Sequence, residues 1–196
     1  MRLFIGLDIE EAIRQRIARF MEGVREFAPD ARWVRPESLH LTLKFIGEKP
    51  TAAVDNIKRL LSGIDAQSLE LAFRGYGFFP SPKLARVFWV GIDSGPQLAT
   101  LAGSVDEAIE RLGIAKEDHP FSPHLTLARG SDSSSGAPRR QHYDRANQNF
   151  QRLQEKLARL PAPEFGTMTA REFFLYQSQL SPGGSRYSKL ECFALR

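Results

Sequence analysis

A single cysteine, Cys192, occurs among 196 residues, so no internal disulfide can form and no thiolate-rich metal cluster is available. No apolar run approaches the roughly 20 residues a helix needs to span a bilayer. A Walker-type glycine loop, a Gly-x-Ser-x-Gly elbow and a His-Glu-x-x-His pair are all missing. Their absence removes the usual layouts of P-loop hydrolases, serine hydrolases and zinc proteases. Neither sign of charge dominates: 27 Lys and Arg against 23 Asp and Glu leave +4. The excess permits a phosphate-bearing partner but does not demand one. Residues 1–8 read as a strand without the layout of a signal peptide, so a cytoplasmic location is expected. With 42% hydrophobic and 10% aromatic residues, the chain suits a soluble core. Its length fits one bilobal domain over 1–196, with no linker separating independent units. Nothing signals oligomerisation, and a monomer is expected.

Histidine is also scarce, at four, yet two of the four lie in the same tetrapeptide: His40-Leu41-Thr42-Leu43 and His124-Leu125-Thr126-Leu127. Leu-Thr-Leu reads as strand, and alternate side chains of a strand share a face. Each copy therefore turns a histidine and a threonine one way and two leucines the other. The repeat extends upstream. Phe4-Ile5-Gly6-Leu7-Asp8 matches Trp89-Val90-Gly91-Ile92-Asp93 in character. From Gly6 to His40 is 34 positions, and from Gly91 to His124 is 33. Two copies at this spacing are too few and too long for a solenoid, and indicate two lobes about a pseudo-twofold axis with a cleft between them.

Periodicity predicts helices over Glu10–Phe27, Ala52–Leu61, Gln97–Leu112 and Arg145–Leu160. Strands are predicted over Arg2–Asp8, His40–Ile46, Leu69–Phe79, Ala85–Asp93 and His124–Ala128, with a closing hairpin of Phe165–Gln179 and Ser185–Leu195. Arg32–Arg35 reads as a short extended piece and Gly130–Pro138 as a mobile, Ser-rich loop. Helices and strands mix without strict alternation. The expected class is α+β, with two pseudo-symmetric lobes, each a mostly antiparallel sheet with helices packed outside. Cys192 falls in the last strand, where a buried, inert thiol is expected.

Two imidazoles in one cleft suit in-line displacement at phosphorus. One takes a proton from the entering group while the other gives one to the leaving oxygen. Thr42 and Thr126, one strand step away, can donate to the non-bridging oxygens. By residues alone either histidine can be the donor, since the motifs are symmetric. A lone strand histidine is more often structural, but the duplicated context overturns that prior. His119 and His142 lie in polar loop sequence and receive no role. Neither tetrapeptide carries a carboxylate, so a metal site would be underligated.

The pair of motifs resembles the two-histidine (2H) phosphoesterase superfamily. The likeness is strongest in Trp33-Val34-Arg35-Pro36-Glu37-Ser38-Leu39-His40-Leu41-Thr42-Leu43-Lys44-Phe45-Ile46-Gly47 and in Phe121-Ser122-Pro123-His124-Leu125-Thr126-Leu127-Ala128-Arg129, and continues through Leu175–Pro182 and Tyr187. Together these segments look like the RNA 2′,3′-cyclic phosphodiesterases, also called 2′-5′ RNA ligases. The resemblance implies hydrolysis of 2′,3′-cyclic phosphate ends of RNA, tRNA fragments among them, or of cyclic nucleotides, to 2′-phosphomonoesters, without cofactor or metal. It implies His40 as proton donor, His124 as proton acceptor, and Thr42, Thr126 and Arg129 as phosphate-binding. The reverse reaction would make a 2′-5′ linkage.

Simple alternation puts Arg129 on the face opposite His124, so a bulge or strand end would have to redirect it. The same parity puts Lys44 beside His40 and Thr42, as a phosphate contact or as a structural lysine at the strand exit. Phe45, Phe78, Phe79, Phe121 and Tyr187 lie near the motifs or loops and are candidates for base stacking. The Ser-rich stretch of 130–144 departs from the family pattern and leaves Arg139 and Arg140 without an assigned role. Two other readings keep some of these features. One is a 2H enzyme acting on a small nucleotide, such as an ADP-ribose cyclic phosphate, or on a 2′-5′ oligonucleotide. The other is a non-catalytic binder of RNA ends.

Overall fold

The computed structural model describes residues 1–130, 150–181 and 184–196. The elements run β1 (Arg2–Leu7), α1 (Glu11–Val24), β2 (Arg32–Trp33), β3 (Leu41–Glu48), α2 (Val54–Leu61), β4 (Leu69–Phe79), β5 (Val87–Ser94), α3 (Pro96–Glu110), β6 (His124–Arg129), α4 (150–157), β7 (Glu164–Ala170), β8 (Glu172–Ser181) and β9 (Gly184–Ala194). Their strands form two antiparallel sheets, in the orders β3-β1-β8-β9 and β2-β6-β5-β4-β7.

The internal repeat is visible in the pairing. β1 lies beside β3 in the first sheet as β5 lies beside β6 in the second. The glycine shared by the two upstream segments has a steric reason. A Cβ at Gly6 would stand 2.6 Å from the Leu41 carbonyl, and one at Gly91 would stand 2.7 Å from that of Arg74. Each glycine lets a neighbouring backbone approach at the mouth of a motif strand.

The lobes are interlocked rather than merely apposed. After leaving the first sheet, α1 packs on the second. Its Phe20 meets Phe165 edge-on at 5.3 Å, and Arg16 Nη1 donates to Phe165 O at 2.9 Å. Conversely, α3 follows β5 and packs on β3 of the first sheet. Buried Ile13, Ile17, Met21 and Val24 of α1 share one contiguous core with Leu98, Leu101, Val105 and Ile109 of α3. That core spans both lobes.

Two sequence expectations need correction. The run Phe165–Gln179 is not one strand. It divides at Arg171 into β7, which pairs with β4 in the second sheet, and β8, which pairs with β1 in the first. Local β character is continuous across the division, and only the partners differ. Cys192 does lie on a strand, but it is exposed, because one face of the edge strand β9 is open. Partial burial and nearby Glu172 push its thiol pKa up, so it stays protonated. Of the fourth predicted helix, 150–157 is helical, with Phe150, Leu153 and Leu157 buried; its predicted start at 145–149 lies outside the described residues. The same applies to the predicted loop beyond Gly130 and to His142, Arg139 and Arg140.

Candidate active site

Bulges decide which side chains reach the cleft. In the β1–β3 ladder Ile5 pairs with Lys44 but Gly6 pairs with Thr42, so Leu43 is an extra residue. In the β5–β6 ladder Phe88 pairs with Ala128 but Trp89 pairs with Thr126, so Leu127 is extra. Each bulge resets the alternation by one. His40 and Thr42 therefore share a face with Phe45, and His124 and Thr126 share one with Arg129. Arg129 is redirected into the cleft by the bulge that simple alternation lacked. Lys44 goes the other way, into the core. It is 3% exposed, with Nζ 2.5 Å from Asp106 Oδ1 on α3, 3.3 Å from Glu117 Oε1 and 2.8 Å from Ala115 O. Lys44 is thus a structural tie and not a phosphate contact.

The two histidines are held alike. His40 Nδ1 donates to Ser38 O at 2.8 Å, and His124 Nδ1 donates to Ser122 O at 2.7 Å. A carbonyl only accepts, so Nδ1 carries the proton of the neutral ring and Nε2 is the titrating atom. Both partners stand two residues before their histidine. A repeated Ser-x-His-x-Thr was present in the sequence as a signal for this second-position contact. Aromatic rings flank each imidazole. Phe4 lies 4.6 Å and Tyr187 4.8 Å from His40, and Phe79 lies 4.9 Å and Trp89 6.3 Å from His124. Phe4 and Trp89 are equivalent positions of the repeat.

These walls set the titration. Burial pushes His40 down from 6.5 to about 4, against the opposing hydrogen bond to Ser38 and the charge of Asp8. Burial also lowers His124, opposed by its bond to Ser122. The Arg129 guanidinium lowers both rings, so one cation stands within electrostatic reach of both half-sites. The motif strands β3 and β6 also lie against one another across the junction of the sheets.

Of the candidate stacking rings, Phe79 and Tyr187 line the histidines. Phe45 is 58% exposed on the cleft face, beside Phe4. Phe78 is buried against Phe88, and Phe121 packs on the core; neither joins the site. His119 is exposed in its loop, as expected. Arg32, which the sequence did not single out, stands directly across β2–β6 from Arg129. Among the described residues no cluster of three His, Cys, Asp or Glu is placed to hold a metal ion, and no helix is long and apolar enough to cross a membrane.

Comparisons with known proteins agree with this layout. The chain is 32% identical over 193 residues to the RNA 2′,3′-cyclic phosphodiesterase of Archaeoglobus fulgidus, covering 98% of this chain and 99% of that protein. It is 31% identical over 199 residues to the protein of the same name from Methanothermobacter thermautotrophicus, covering 100% and 99%. The solved structure of E. coli LigT with 3′-AMP superposes with a TM-score of 0.76 at 27% identity, over 99% of this chain and 97% of that one. The family description "LigT like Phosphoesterase" matches twice, over residues 7–89 and 90–187, so each match holds one His-Leu-Thr-Leu. With these two matches spanning most of its length, the chain belongs to the LigT-like phosphoesterases.

Proposed function

We propose that the protein hydrolyses 2′,3′-cyclic phosphates at RNA 3′ ends to 2′-phosphomonoesters by two-histidine acid–base catalysis, without a metal. The observation that carries this reading is the pair of adjoining His-x-Thr strands, β3 and β6, whose two imidazoles are both engaged at Nδ1 by the backbone carbonyl two residues upstream. Both Nε2 atoms are then left for proton transfer about one phosphorus centre. Water attacks phosphorus as His124 Nε2 takes its proton. The P–O3′ bond breaks as His40 Nε2–H protonates the departing oxygen. Thr42, Thr126 and Arg129 hold the non-bridging oxygens, whose charge grows in the transition state. Solvent exchange resets both rings. A 5′-hydroxyl in place of water yields a 2′-5′ linkage. The activity named for the full-length relatives supplies the RNA substrate class.

The test is incubation with a nucleoside 2′,3′-cyclic phosphate and with a cyclic-phosphate-ended oligoribonucleotide, both in EDTA. The expected product is the 2′-phosphate in each case. Exclusive 3′-phosphate, or a divalent-ion requirement, would overturn the mechanism. Turnover of the nucleotide but not the oligonucleotide would assign a small-molecule substrate. Affinity without turnover would make the protein a binder.

Phe45 occupies, in the first half, the place of Arg129 in the second: three residues past the threonine and after the bulge. An exposed ring there, on a cleft face, suits a nucleobase, and stacking contributes about 1–3 kcal/mol per base. Phe45→Ala is therefore expected to raise KM for the cyclic nucleotide by about tenfold with kcat changed far less. Steady-state kinetics on the purified variant check this; an unchanged KM removes Phe45 from the substrate site.

A further inference from the structure

The two half-sites share a motif but not their surroundings. Asp8 directly follows β1, and α1 brings Arg14 back to it. Arg14 Nη2 donates to Asp8 Oδ1 at 2.6 Å and to Ile9 O at 3.2 Å. Its Nη1 donates to Pro36 O at 2.7 Å and to Leu39 O at 3.1 Å. Those two carbonyls bracket Ser38, whose own carbonyl receives the His40 Nδ1 proton, while Ser38 Oγ donates to Ser185 O at 3.2 Å. The Arg14 side chain is 13% exposed, so this is an interior clamp and not a surface contact.

A cavity of about 210 Å³ adjoins His40 and is also lined by Asp8, Arg14, Glu37, Tyr176, Tyr187 and Lys189. Asp8 Oδ2 accepts from Lys189 Nζ of β9 at 2.5 Å. The Asp8 charge favours the protonated His40 ring; Arg14 from α1 and Arg129 from β6 oppose it. In the other half the equivalent carboxylate is Asp93. It pairs with Arg74 on the adjacent strand, and the two side chains are 56% and 59% exposed. Among the described residues the charge that bears on His124 is that of Arg129.

We propose that Asp8 and Arg14 are positioning residues of the first half-site: Arg14 fixes the turn that holds the His40 tautomer, and Asp8 offsets part of the burial that opposes the His40 imidazolium when His40 acts as proton donor. The inference rests on the two-histidine phosphodiesterase reading. It assigns to one half-site a clamp and a carboxylate that identical tetrapeptides do not distinguish. Both roles act through His40, and neither residue needs to touch substrate.

The test compares two substrates: a nucleoside 2′,3′-cyclic phosphate and its analogue with sulfur at the 3′ position. A thiol, with an ordinary pKa of about 8.5, departs as thiolate without a proton donor. Asp8→Asn is expected to lower kcat about tenfold or more on the oxygen substrate, with KM within about twofold, yet to stay within about threefold of wild type on the sulfur substrate. Asp93→Asn should match wild type on both. An equal loss on both substrates, or no loss on either, overturns the proposal. If thermal melts show that Asp8→Asn does not fold, Arg14→Lys carries the test, since an ammonium cannot span all four acceptors. The same selective loss is required of it, and an equal loss overturns the proposal. Failure of the underlying reading looks different: wild type turns over neither substrate, or His40→Asn is equally impaired on both.

Discussion

Changing His40 or His124 to asparagine is expected to reduce kcat on a nucleoside 2′,3′-cyclic phosphate by about 10³-fold, with the fold and the substrate affinity largely retained. Each ring moves one proton in the same displacement, and positioned acid–base groups contribute about 10²–10⁴-fold. Because the two act in one step, their losses do not multiply. The double variant should be only slightly slower than the worse single one. Asparagine is the informative replacement, since its side-chain amide can donate to the Ser38 or Ser122 carbonyl as Nδ1 does.

The pH dependence follows from the direction of the shifts. In the free protein both rings are pushed below the ordinary 6.5, His40 to about 4. A lowered value means that the proton is lost at lower pH, so both imidazoles are neutral at pH 7. The productive form needs one ring charged and one neutral. It is most populated between the two lowered values, on the acid side of 6.5. The profile of kcat/KM, which reports the free enzyme, should therefore peak below pH 6.5 and fall on the alkaline side. A bound phosphodiester anion raises both rings, so kcat should hold to higher pH than kcat/KM. His40→Asn should abolish the alkaline limb and His124→Asn the acid limb. A kcat/KM maximum above pH 7.5, with both limbs intact in the variants, would remove the histidines from proton transfer.

The second large effect lies away from the cleft. Asp106→Ala is expected to destabilise the protein by about 3 kcal/mol, because it leaves the buried Lys44 ammonium with an exposed carboxylate and one carbonyl. Asp106 Oδ1 is buried and makes no well-directed hydrogen bond; the Lys44 charge at 2.5 Å is what satisfies it. For a chain of this size the loss corresponds to a fall in Tm of about 6–12 °C. Glu117, 58% exposed, shields Lys44 only weakly, so Glu117→Ala should cost below about 1 kcal/mol. Replacing both partners, as Lys44→Met with Asp106→Leu, should recover most of the stability, since an apolar pair needs no compensation. Denaturant unfolding of the three variants checks the series. Asp106→Ala within 1 kcal/mol of wild type would show that water reaches Lys44. The tie also joins the first motif strand to α3 and to the loop before the second motif, so its loss should loosen one half-site relative to the other.

Much of this architecture is local and could be read before any coordinates. Helical spacing at Ile13, Ile17, Met21 and Val24 predicts α1 and its buried stripe. The limits Leu69–Phe79 of β4 follow from its apolar and aromatic residues and the Pro-Ser-Pro turn that follows. His40, Thr42, His124 and Thr126 were singled out by repetition alone, because identical tetrapeptides at matched spacing carry their own evidence. Arg129 came only from resemblance; alternation argued against it.

What the sequence by itself determined is the chemistry on offer: two His-x-Thr strands, one per half, with a helix between each pair of strands. Tertiary structure decided the rest. It placed the extra residues at Leu43 and Leu127, which turn Arg129 into the cleft and Lys44 out of it. It sent α1 and α3 to opposite sheets, divided 164–181 between two sheets at Arg171, and set Asp8 and Arg14 beside His40. The physical reason is the same throughout. A two-residue or 3.6-residue period records which side of an element is apolar. Bulges, sheet membership and buried ion pairs depend on which distant backbone lies alongside, and no local pattern encodes that.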